Sequence, residues 1–391
     1  MKKQKKWKTK LTSLINYPKI RLITKNLSSD IIFFFPHYNT GGAERVHLDI
    51  MKSLSEYNMT CYITEQSQDT DLKKEFEQIS TLVELYIWGS RPKYRKKFLP
   101  IIAKKINAMN NVILFGCNSR FFYDLIPLLS TSVKCIDLIH TFLGEYDYSM
   151  DNYSLEHIPK LDARVVLGES QRKKQIEFYG QKGIPTVYAD RIKVIPNKVD
   201  YPTEFVKKDY KNDLTILFVS RDSEEKRPLL FIEITKICYE LKLPFKFFMI
   251  GEFEKYKDSV RDNVELIGKI LDKHVLNEFY SKAHFVMLTS LFEGLPLVLL
   301  EGLAQGAIPL TTNVGEIPSY INEDFQTGFL INNSIDESKL VNQFIDKLKS
   351  IDADRTILPT FSECGQKLVR RHFNKETFQY SYQSLIKKIM D

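Results

Sequence analysis

The stretch that decides the predicted fold is His284–Ile321, HFVMLTSLFEGLPLVLLEGLAQGAIPLTTNVGEIPSYI. Its apolar run Phe285–Leu288 has the length and composition of a buried parallel strand. A turn follows, and Pro296 suits the first turn of a helix because its missing N–H costs nothing there. Gly306 can end that helix in a left-handed conformation, and Ala307–Thr312 is predicted as the next strand. The stretch therefore predicts a strand, helix and strand unit of a doubly wound α/β sheet.

Two glutamates interrupt this apolar segment. Glu293 lies in the turn, and Glu301 follows about two helical turns later. A carboxylate in such surroundings is costly unless it meets a partner. The turn lies at the carboxyl end of a strand, where open α/β sheets bind ligands, and the free amides of Gly294 and Leu295 would attract an anion. The pattern indicates a site shaped for a nucleotide-linked sugar; the alternative is that Glu293 caps the helix and Glu301 faces a surface groove.

The chain length predicts two domains rather than one. With 391 residues the chain exceeds the size of a typical single core. Two alternating strand and helix series are separated by a polar segment without a clear period at 200–213. We therefore predict two doubly wound, Rossmann-like domains that face a cleft. The expected division is a basic arm at 1–29, a first domain at 30–200, a second domain at 201–370, and a C-terminal helix at 371–391.

The positive charge is concentrated in the N-terminal arm. The formal net charge is +7, and residues 1–29 hold nine Lys and Arg but no Asp or Glu. Removing that arm leaves a nearly neutral chain, which argues against a nucleic-acid-binding face. Two interpretations of the arm stay open. It is either a solvated tail or a segment, residues 1–25, that binds an anionic membrane surface, where each basic side chain contributes ~1 kcal/mol.

The cysteines and the apolar segments predict a cytoplasmic location. The five cysteines are scattered and form no C-x-x-C pair, which argues against a disulfide or zinc framework. No signal peptide is expected, because no apolar core follows the lysines. The most apolar window, 295–310, is too short to span a bilayer. We expect a cytoplasmic protein, with peripheral binding at the inner face of the membrane as the open alternative.

Three further motifs follow predicted strands. Gly41 and Gly42 come after the opening strand, Asp30–Phe35, where glycines allow the backbone to approach a ligand. His140 ends the predicted strand Lys134–Ile139, although a lone histidine is more often structural. The pair Asp69-Thr70-Asp71 matches an acid-x-acid metal motif, but the helical run that follows it favours helix capping.

Arg221 and Lys226 follow a strand that should neighbour Phe285–Leu288. Two cations at a strand end can neutralise a diphosphate without a metal, the arginine as a fork and the lysine as a point charge. The alternative is that both side chains are simply solvated in a charged loop.

Together these motifs resemble the family 4 retaining glycosyltransferases, which have the GT-B fold. The resemblance covers about residues 30–385, and its dense patches are Gly41 to Val46, His140, Ile195-Pro196-Asn197, Arg221 with Lys226, and Glu293 to Glu301 with Gly306 and Pro309. It implies a cytoplasmic hexosyltransferase that moves a sugar from a UDP- or GDP-sugar to a glycan or lipid-linked glycan acceptor in polysaccharide biosynthesis. It further implies that 30–200 is the acceptor-side domain, that 201–370 is the nucleotide-sugar domain, and that the C-terminal helix packs back on the first domain. It also implies that neither a metal nor another cofactor is needed.

The resemblance implies a role for each matched residue on the nucleotide side. Arg221 and Lys226 would hold the diphosphate and stabilise the leaving nucleotide. Glu293 would contact the donor sugar together with the amides of Gly294 and Leu295.

The remaining matched residues would surround the sugar and the ribose. Gly41 and Gly42 would line the cleft near the transferred group, and His140 would hydrogen-bond the donor sugar. Glu301 would accept hydrogen bonds from the ribose hydroxyls. The expected catalytic set is therefore His140, Arg221, Lys226 and Glu293.

The chain departs from the family pattern at two places. Lys198 stands where glycine often follows the Pro-Asn pair, and Leu295 with Pro296 stands where glycine is common. These departures leave the donor sugar open. Two alternatives also stay open: a nucleotide-sugar epimerase of the same fold, and a non-catalytic partner subunit of a glycosyltransferase.

Overall fold

The structure is a computed structural model that describes residues 28–86 and 92–391. Residues 1–25, for which membrane binding and a solvated tail are the two open interpretations, lie outside the described residues. The same holds for the end of the strand predicted at Val83–Trp88, of which the structure describes Thr81–Glu84 as a strand.

The first domain is built on a parallel sheet of seven strands in the order β3-β2-β1-β4-β5-β6-β7. Its strands are β1 (Ile31–Phe35), β2 (Met59–Ile63), β3 (Thr81–Glu84), β4 (Ile113–Cys117), β5 (Lys134–Ile139), β6 (Ala163–Val166) and β7 (Ile192–Val194). Its helices are α1 (Gly42–Ser53), α2 (Lys73–Ile79), α3 (Pro92–Ile106), α4 (Arg120–Leu125), α5 (Met150–Tyr153) and α6 (Glu169–Gln181). Strands β1 and β4, at the centre of the sheet, carry no polar side chain apart from the Cys117 thiol, because helices cover both faces of the sheet.

The second domain is built on a parallel sheet of six strands in the order β10-β9-β8-β11-β12-β13. Its strands are β8 (Leu214–Val219), β9 (Phe245–Ile250), β10 (Val264–Gly268), β11 (Phe285–Leu288), β12 (Ile308–Thr312) and β13 (Phe329–Ile331). The helices that follow β8 are α7 (Pro228–Glu240), α8 (Lys273–Lys282), α9 (Leu297–Ala304), α10 (Glu337–Ala353), α11 (Leu358–His372) and α12 (Lys375–Met390). The prediction of two doubly wound α/β domains is confirmed.

The stretch around β11 folds as its sequence predicts. The four residues of β11 are buried and pair with β8 and β12. Helix α9 begins directly after Pro296, and Gly306 has φ +74°, the left-handed conformation expected of a helix stop. The pairing of β8 with β11 confirms that Arg221 and Lys226 follow a strand beside the central one.

The last helix returns to the first domain. Phe378, Tyr382 and Ile386 of α12 are buried in one apolar cluster with β1 and α1 of the first sheet. The ring of Tyr382 lies 6.3 Å from that of Phe115, and the Gln383 amide donates to Glu56 at 2.9 Å. The C-terminal helix predicted at 371–391 begins at Lys375 in the structure: α11 ends at His372, and Asn374 caps α12 by accepting from Thr377 N.

The two sheets turn their carboxyl ends toward a common cleft, and several polar contacts cross it. The buried Glu316 of the second domain accepts hydrogen bonds from Ser170 N at 2.9 Å and Gln171 N at 2.7 Å, at the start of α6. Lys269 of the second domain forms an ion pair with Asp71 of the first at 2.9 Å. Residues that follow β1, β5, β8 and β11 line one cavity between the domains.

Candidate active site

Lys226 and Glu293 form the central contact of the cleft. The Lys226 ammonium donates to Glu293 Oε1 at 2.6 Å, and the Ser290 hydroxyl donates to the same oxygen at 2.6 Å. The Glu293 side chain is only 8 % exposed. The carboxylate is thus held by a cation and a hydroxyl, as a buried acid requires, and α9 has no side-chain cap. The helix-capping alternative for Glu293 is therefore wrong.

The backbone around Lys226 is fixed from β11. The Thr289 hydroxyl donates to Lys226 O at 2.8 Å. Arg227 has a left-handed backbone with φ 50°, and its Nη2 donates to Ser290 O at 3.0 Å. These contacts hold the loop after β8 against the end of β11, so the lysine reaches Glu293 from a rigid support.

The start of α9 presents unpaired amides beside this pair. Within the described part of the chain, the N–H groups of Gly294, Leu295, Leu297 and Val298 donate to no protein acceptor. Together they line the same cavity as Lys226. Free N–H groups at a helix start carry a partial positive charge and bind anions.

Arg221 is available to a ligand in the same cleft. Its side chain is 70 % exposed, and its ion pair with Glu225 is long, at 3.8 Å. An exposed pair of this kind is weak, so the guanidinium can leave Glu225 for a more strongly charged partner.

Glu301 faces the cleft two helical turns beyond Glu293. Its Oε2 accepts a hydrogen bond from the Tyr280 hydroxyl at 3.1 Å, and its Oε1 lies 3.9 Å from Arg45 Nη1 of the first domain. Its side chain is 11 % exposed. The carboxylate keeps accepting capacity toward the cleft, since each oxygen has two lone pairs.

His140 closes the cleft from the end of β5. Its Nε2 lies 3.1 Å from His47 Nε2 of α1. Burial lowers the pKa of His140 to about 4 and also lowers the pKa of His47. Both imidazoles are therefore neutral at physiological pH.

The predicted glycines lie where backbone segments approach closely. A methyl group on Gly294 would overlap the carbonyl oxygen of His140, so the two domains touch through backbone at this point. Gly41 precedes α1 and Gly42 begins it, and both line the cleft opposite α9. The structure thus brings all nine predicted site residues to one cleft.

Three cavities lie along the cleft. The Glu301 cavity, about 420 Å³, is lined by Arg45, Arg221 and Glu301 among others. The Lys226 cavity, about 280 Å³, is lined by His140, Lys226 and Glu293 and shares Gly41, Gly42 and Arg221 with the first. The outer cavity, about 870 Å³, adjoins the Lys226 cavity through Phe292, Glu293 and Gly294.

Comparison with known proteins places this cleft in a known class. Residues 202–357 match the family model described as glycosyl transferases group 1. A relative in Campylobacter jejuni, named GalNAc-alpha-(1->4)-GalNAc-alpha-(1->3)-diNAcBac-PP-undecaprenol alpha-1,4-N-acetyl-D-galactosaminyltransferase, is 25 % identical over 70 % of this chain and 76 % of its own. The Anabaena protein Alr3699/HepE, solved in complex with UDP, has a TM-score of 0.70 over 92 % of this chain and 99 % of its own, at 14 % identity.

The chain is a glycosyltransferase with the GT-B fold. Another relative of this glycosyltransferase, the Escherichia coli UDP-Gal:alpha-D-GlcNAc-diphosphoundecaprenol alpha-1,3-galactosyltransferase, is 27 % identical over 48 % of the chain. The Staphylococcus aureus poly(ribitol-phosphate) alpha-N-acetylglucosaminyltransferase is 22 % identical over 58 % of the chain. The glycosyltransferase spans about half the length of each, 52 % and 44 %.

The acid-x-acid motif of this glycosyltransferase pairs with a lysine and does not cap a helix. Asp69 and Asp71 both lie within 3.4 Å of the Lys269 ammonium, and Asp71 also accepts from the Thr40 hydroxyl. Helix α2 begins after Leu72 without a side-chain cap, so the capping expectation is wrong. The acids instead hold the Gly41 loop and pair with a cation across the cleft.

Several residues of the site are not predicted from the sequence. His47, Ser290, Arg45 and Glu316 all contact predicted site residues or bridge the cleft. Arg45 and His47 lie three and five residues beyond Gly42, on the helix that Gly42 begins, and that spacing was the one local signal available. Glu316 gave none, because its partners lie 145 residues away.

No helix in residues 28–86 and 92–391 of the glycosyltransferase has both the length and the apolar character to cross a bilayer.

Proposed function

We propose that this enzyme is a retaining transferase of family 4 that moves a sugar from a UDP-sugar to a lipid-linked glycan during cell-surface polysaccharide synthesis. The observation that carries the proposal is the Lys226–Glu293 contact of 2.6 Å beside four unpaired amides at the start of α9. A cation and a helix start that share one small cavity suit a departing nucleoside diphosphate.

The diphosphate would lie between Lys226, Arg221 and the amides of Gly294 and Leu295. Breaking the bond to the anomeric carbon leaves negative charge on the departing diphosphate oxygen. Preorganised donors stabilise that charge where it develops and need no reorganisation during the step. Since two protein cations already face this position, we propose that no metal cofactor is required, and retained activity in EDTA would support that.

The ribose would lie in the Glu301 cavity. Glu301 is oriented by Tyr280 and keeps lone pairs for two vicinal hydroxyls. Ile270 and Leu276 add apolar lining for the base, and Lys269 closes one side. The relative from Escherichia coli is named for UDP-Gal, and Alr3699/HepE was solved with UDP, which favours a UDP-sugar over a GDP-sugar.

The acceptor would enter through the outer cavity. That cavity shares Glu293 and Gly294 with the Lys226 cavity, whereas Glu301 lines a different cavity, so a hydroxyl placed there would meet the sugar end of the donor. Phe142, Tyr146 and Phe178 are among its lining residues. Aromatic faces with a few polar groups are typical of sites that bind the apolar faces of sugar rings.

The basic arm would bring the enzyme to its lipid-linked substrate. Residues 1–25 hold nine Lys and Arg and no Asp or Glu. We propose that this segment binds anionic headgroups at the inner face of the membrane. Sedimentation with phosphatidylglycerol vesicles tests this: the full chain should bind in low salt, and a chain lacking residues 1–25 should not.

A donor panel tests the proposed reaction. The full chain is incubated with UDP- and GDP-hexoses and N-acetylhexosamines and with undecaprenyl-diphosphate glycans as acceptors. We expect transfer from one UDP-sugar, with the product carrying the anomeric configuration of the donor by NMR. Absence of both transfer and donor hydrolysis from folded protein that binds UDP would contradict the proposal. A changed sugar without acceptor would indicate the epimerase, and unchanged function after Glu293→Ala would indicate a non-catalytic subunit.

A further inference from the structure

His140 does not face the Lys226 cavity as an isolated histidine. Its Nε2 is 3.1 Å from Nε2 of His47, a distance that two nitrogens keep only when one of them donates a hydrogen bond to the other. His47 is 1 % exposed, and its ring stacks on Phe35 with centroids 4.0 Å apart and planes 3° from parallel. The pair is therefore rigid on the His47 side, and His140 keeps only Nδ1 for a ligand.

The second nitrogen of His47 decides the direction of this hydrogen bond. Nδ1 of His47 is buried and has no hydrogen-bond partner among the described residues. A neutral imidazole carries one N–H, and a proton on Nδ1 would leave a buried donor without an acceptor, which proteins rarely tolerate. With the proton on Nε2, only a lone pair stays unpaired and the N–H donates to His140.

We propose that His47 is a positioning residue that fixes His140 as the Nδ1–H tautomer, so that His140 offers a hydrogen-bond donor to the transferred sugar. The tautomer of a histidine is set by the hydrogen bond that its other nitrogen makes. His140 Nε2 accepts from His47 and must be bare, which leaves its proton on Nδ1. The inference rests on the proposed function only in taking the ligand of the Lys226 cavity to be a sugar.

This assignment restricts the sugar. The group that meets Nδ1 must accept a hydrogen bond, as a hydroxyl oxygen or an acetamido carbonyl does. A deoxy sugar at that position leaves the N–H unpaired and is rejected, whereas a fluoro sugar keeps a weak acceptor. Sites that hydrogen-bond a substrate group discriminate strongly against analogues that lack it.

Cys117 lies beside both histidines and adds no charge to the pair. Its Sγ lies within 4.8 Å of the ligand nitrogens of both histidines. Burial raises the pKa of this thiol well above its usual range, so it stays protonated, whereas a metal ion would require the thiolate. The hydrogen bond between the imidazoles accounts for the distance between the two nitrogens. A metal ion bound between the histidines would contradict this interpretation.

The test reads the tautomers directly from histidine-labelled protein. Long-range proton–nitrogen NMR spectra distinguish the two neutral forms, and His140→Gln and His47→Gln assign the signals. We expect His140 protonated at Nδ1 and His47 at Nε2. In His47→Phe, which keeps a ring against Phe35, His140 should lose its single tautomer. In His47→Gln, whose amide can donate, the wild-type form should return, and exposed His274→Phe serves as the matched control.

Kinetics supply the second arm, with the UDP-sugar selected by the donor panel. We expect kcat/KM to fall about tenfold in His47→Phe, the effect of one neutral hydrogen bond, and to recover to within about threefold in His47→Gln. The Kd for UDP should not change in either variant, because no sugar is present. A wild-type His140 protonated at Nε2, an unchanged tautomer in His47→Phe, or a stoichiometric metal ion in purified protein would overturn the inference. Failure of every donor would contradict the proposed function, and the NMR result would still decide the tautomer.

Discussion

Lys226 is the side chain on which the proposed chemistry depends most. We expect Lys226→Ala to lower kcat by about 100-fold or more, as when one preorganised donor to a developing oxyanion is removed. The variant also leaves Glu293 without its cation, although Ser290 still donates to it. Steady-state kinetics with the UDP-sugar substrate, together with the Kd for UDP, measure the effect.

Lys255→Ala is the matched control for this lysine. Lys255 follows β9 of the same sheet, pairs with Asp222, and lies outside the three cavities with 60 % of its side chain exposed. Its removal should leave kcat within experimental error. Equal kcat in wild type and Lys226→Ala would refute the role assigned to Lys226.

The partly buried His140 gives the folding stability a defined pH dependence. Burial lowers its folded pKa to about 4, below the ordinary value of 6.5 that the unfolded chain shows. Between these values the unfolded state binds more protons, so the free energy of unfolding decreases as the pH falls from about 6.5 to about 4. Urea denaturation at pH 7 and pH 4 should show a loss of about 3 kcal/mol from this group. His140→Gln should show a correspondingly smaller loss, and an equal loss in both proteins would contradict the assignment.

Site residues are predictable from the sequence when neighbouring strands bring them together, and they are missed when their contacts join distant parts of the chain. Lys226 and Glu293 are predictable because each follows a buried strand, and neighbouring parallel strands bring their carboxyl ends together. The His47–His140 contact joins residues 93 positions apart. His47 lies on α1, and His140 directly follows β5. No local period encodes that distance, and a buried histidine on a helix is indistinguishable in sequence from a core residue.

At the scale of elements, the turn between β11 and α9 works because Gly294 has no side chain. We expect Gly294→Ala to push this turn away from the His140 carbonyl and to lower kcat/KM by about 100-fold, the effect of a small misplacement of reacting groups. The packing of β11 and α9 in the core of the domain does not depend on this turn, so the melting temperature should fall only modestly. Kinetics and thermal denaturation of the same preparation separate the two effects.

Gly180→Ala controls for the substitution itself. Gly180 lies in α6, and among the described residues no atom beyond its own stretch of helix lies within 4 Å of where its methyl group would be. Alanine there should stabilise the protein by up to about 1 kcal/mol through its higher helix propensity. Wild-type kcat/KM in Gly294→Ala would show that the close approach is not needed for transfer.

Helix boundaries show where local sequence suffices and where it does not. Pro296 and Gly306 bracket α9 as expected, because both act through backbone conformation alone. The acid-x-acid motif was expected to cap α2, but Asp71 pairs with Lys269 of the other domain instead. A carboxylate at a helix start can accept from the free N–H groups of the helix or pair with a nearby cation. Which partner lies closer depends on the tertiary fold.

At the scale of the molecule, the two domains are tied together by a helix that crosses between them. We expect Tyr382→Ala to lower the free energy of unfolding by about 3 kcal/mol, because the ring is fully buried between the sheet and α1. Tyr380→Ala, on the same helix but 71 % exposed, should change it by less than about 0.5 kcal/mol. Urea denaturation of both variants measures the difference, and equal effects would show that α12 does not contribute to this core.

The division into two sheets was predictable from the alternation of strands and helices on either side of a polar segment. The placement of α12 was predicted only through the resemblance to a family, since the aromatic residues of that helix do not say which sheet they cover. The shared cluster that joins Tyr382 to Phe115 depends on the path of the whole chain. Domain boundaries drawn along the sequence remain a prediction for limited proteolysis to test.

The return of α12 also has a consequence for biosynthesis. A nascent chain folds its first domain while the ribosome is still translating the second, whenever the first is self-sufficient. Here the hydrophobic patch on β4 and α1 stays uncovered until Phe378 and Tyr382 have been translated, after the entire second domain. Holdase chaperones therefore have a long interval in which to bind that patch, and the first domain reaches its final form only after the second.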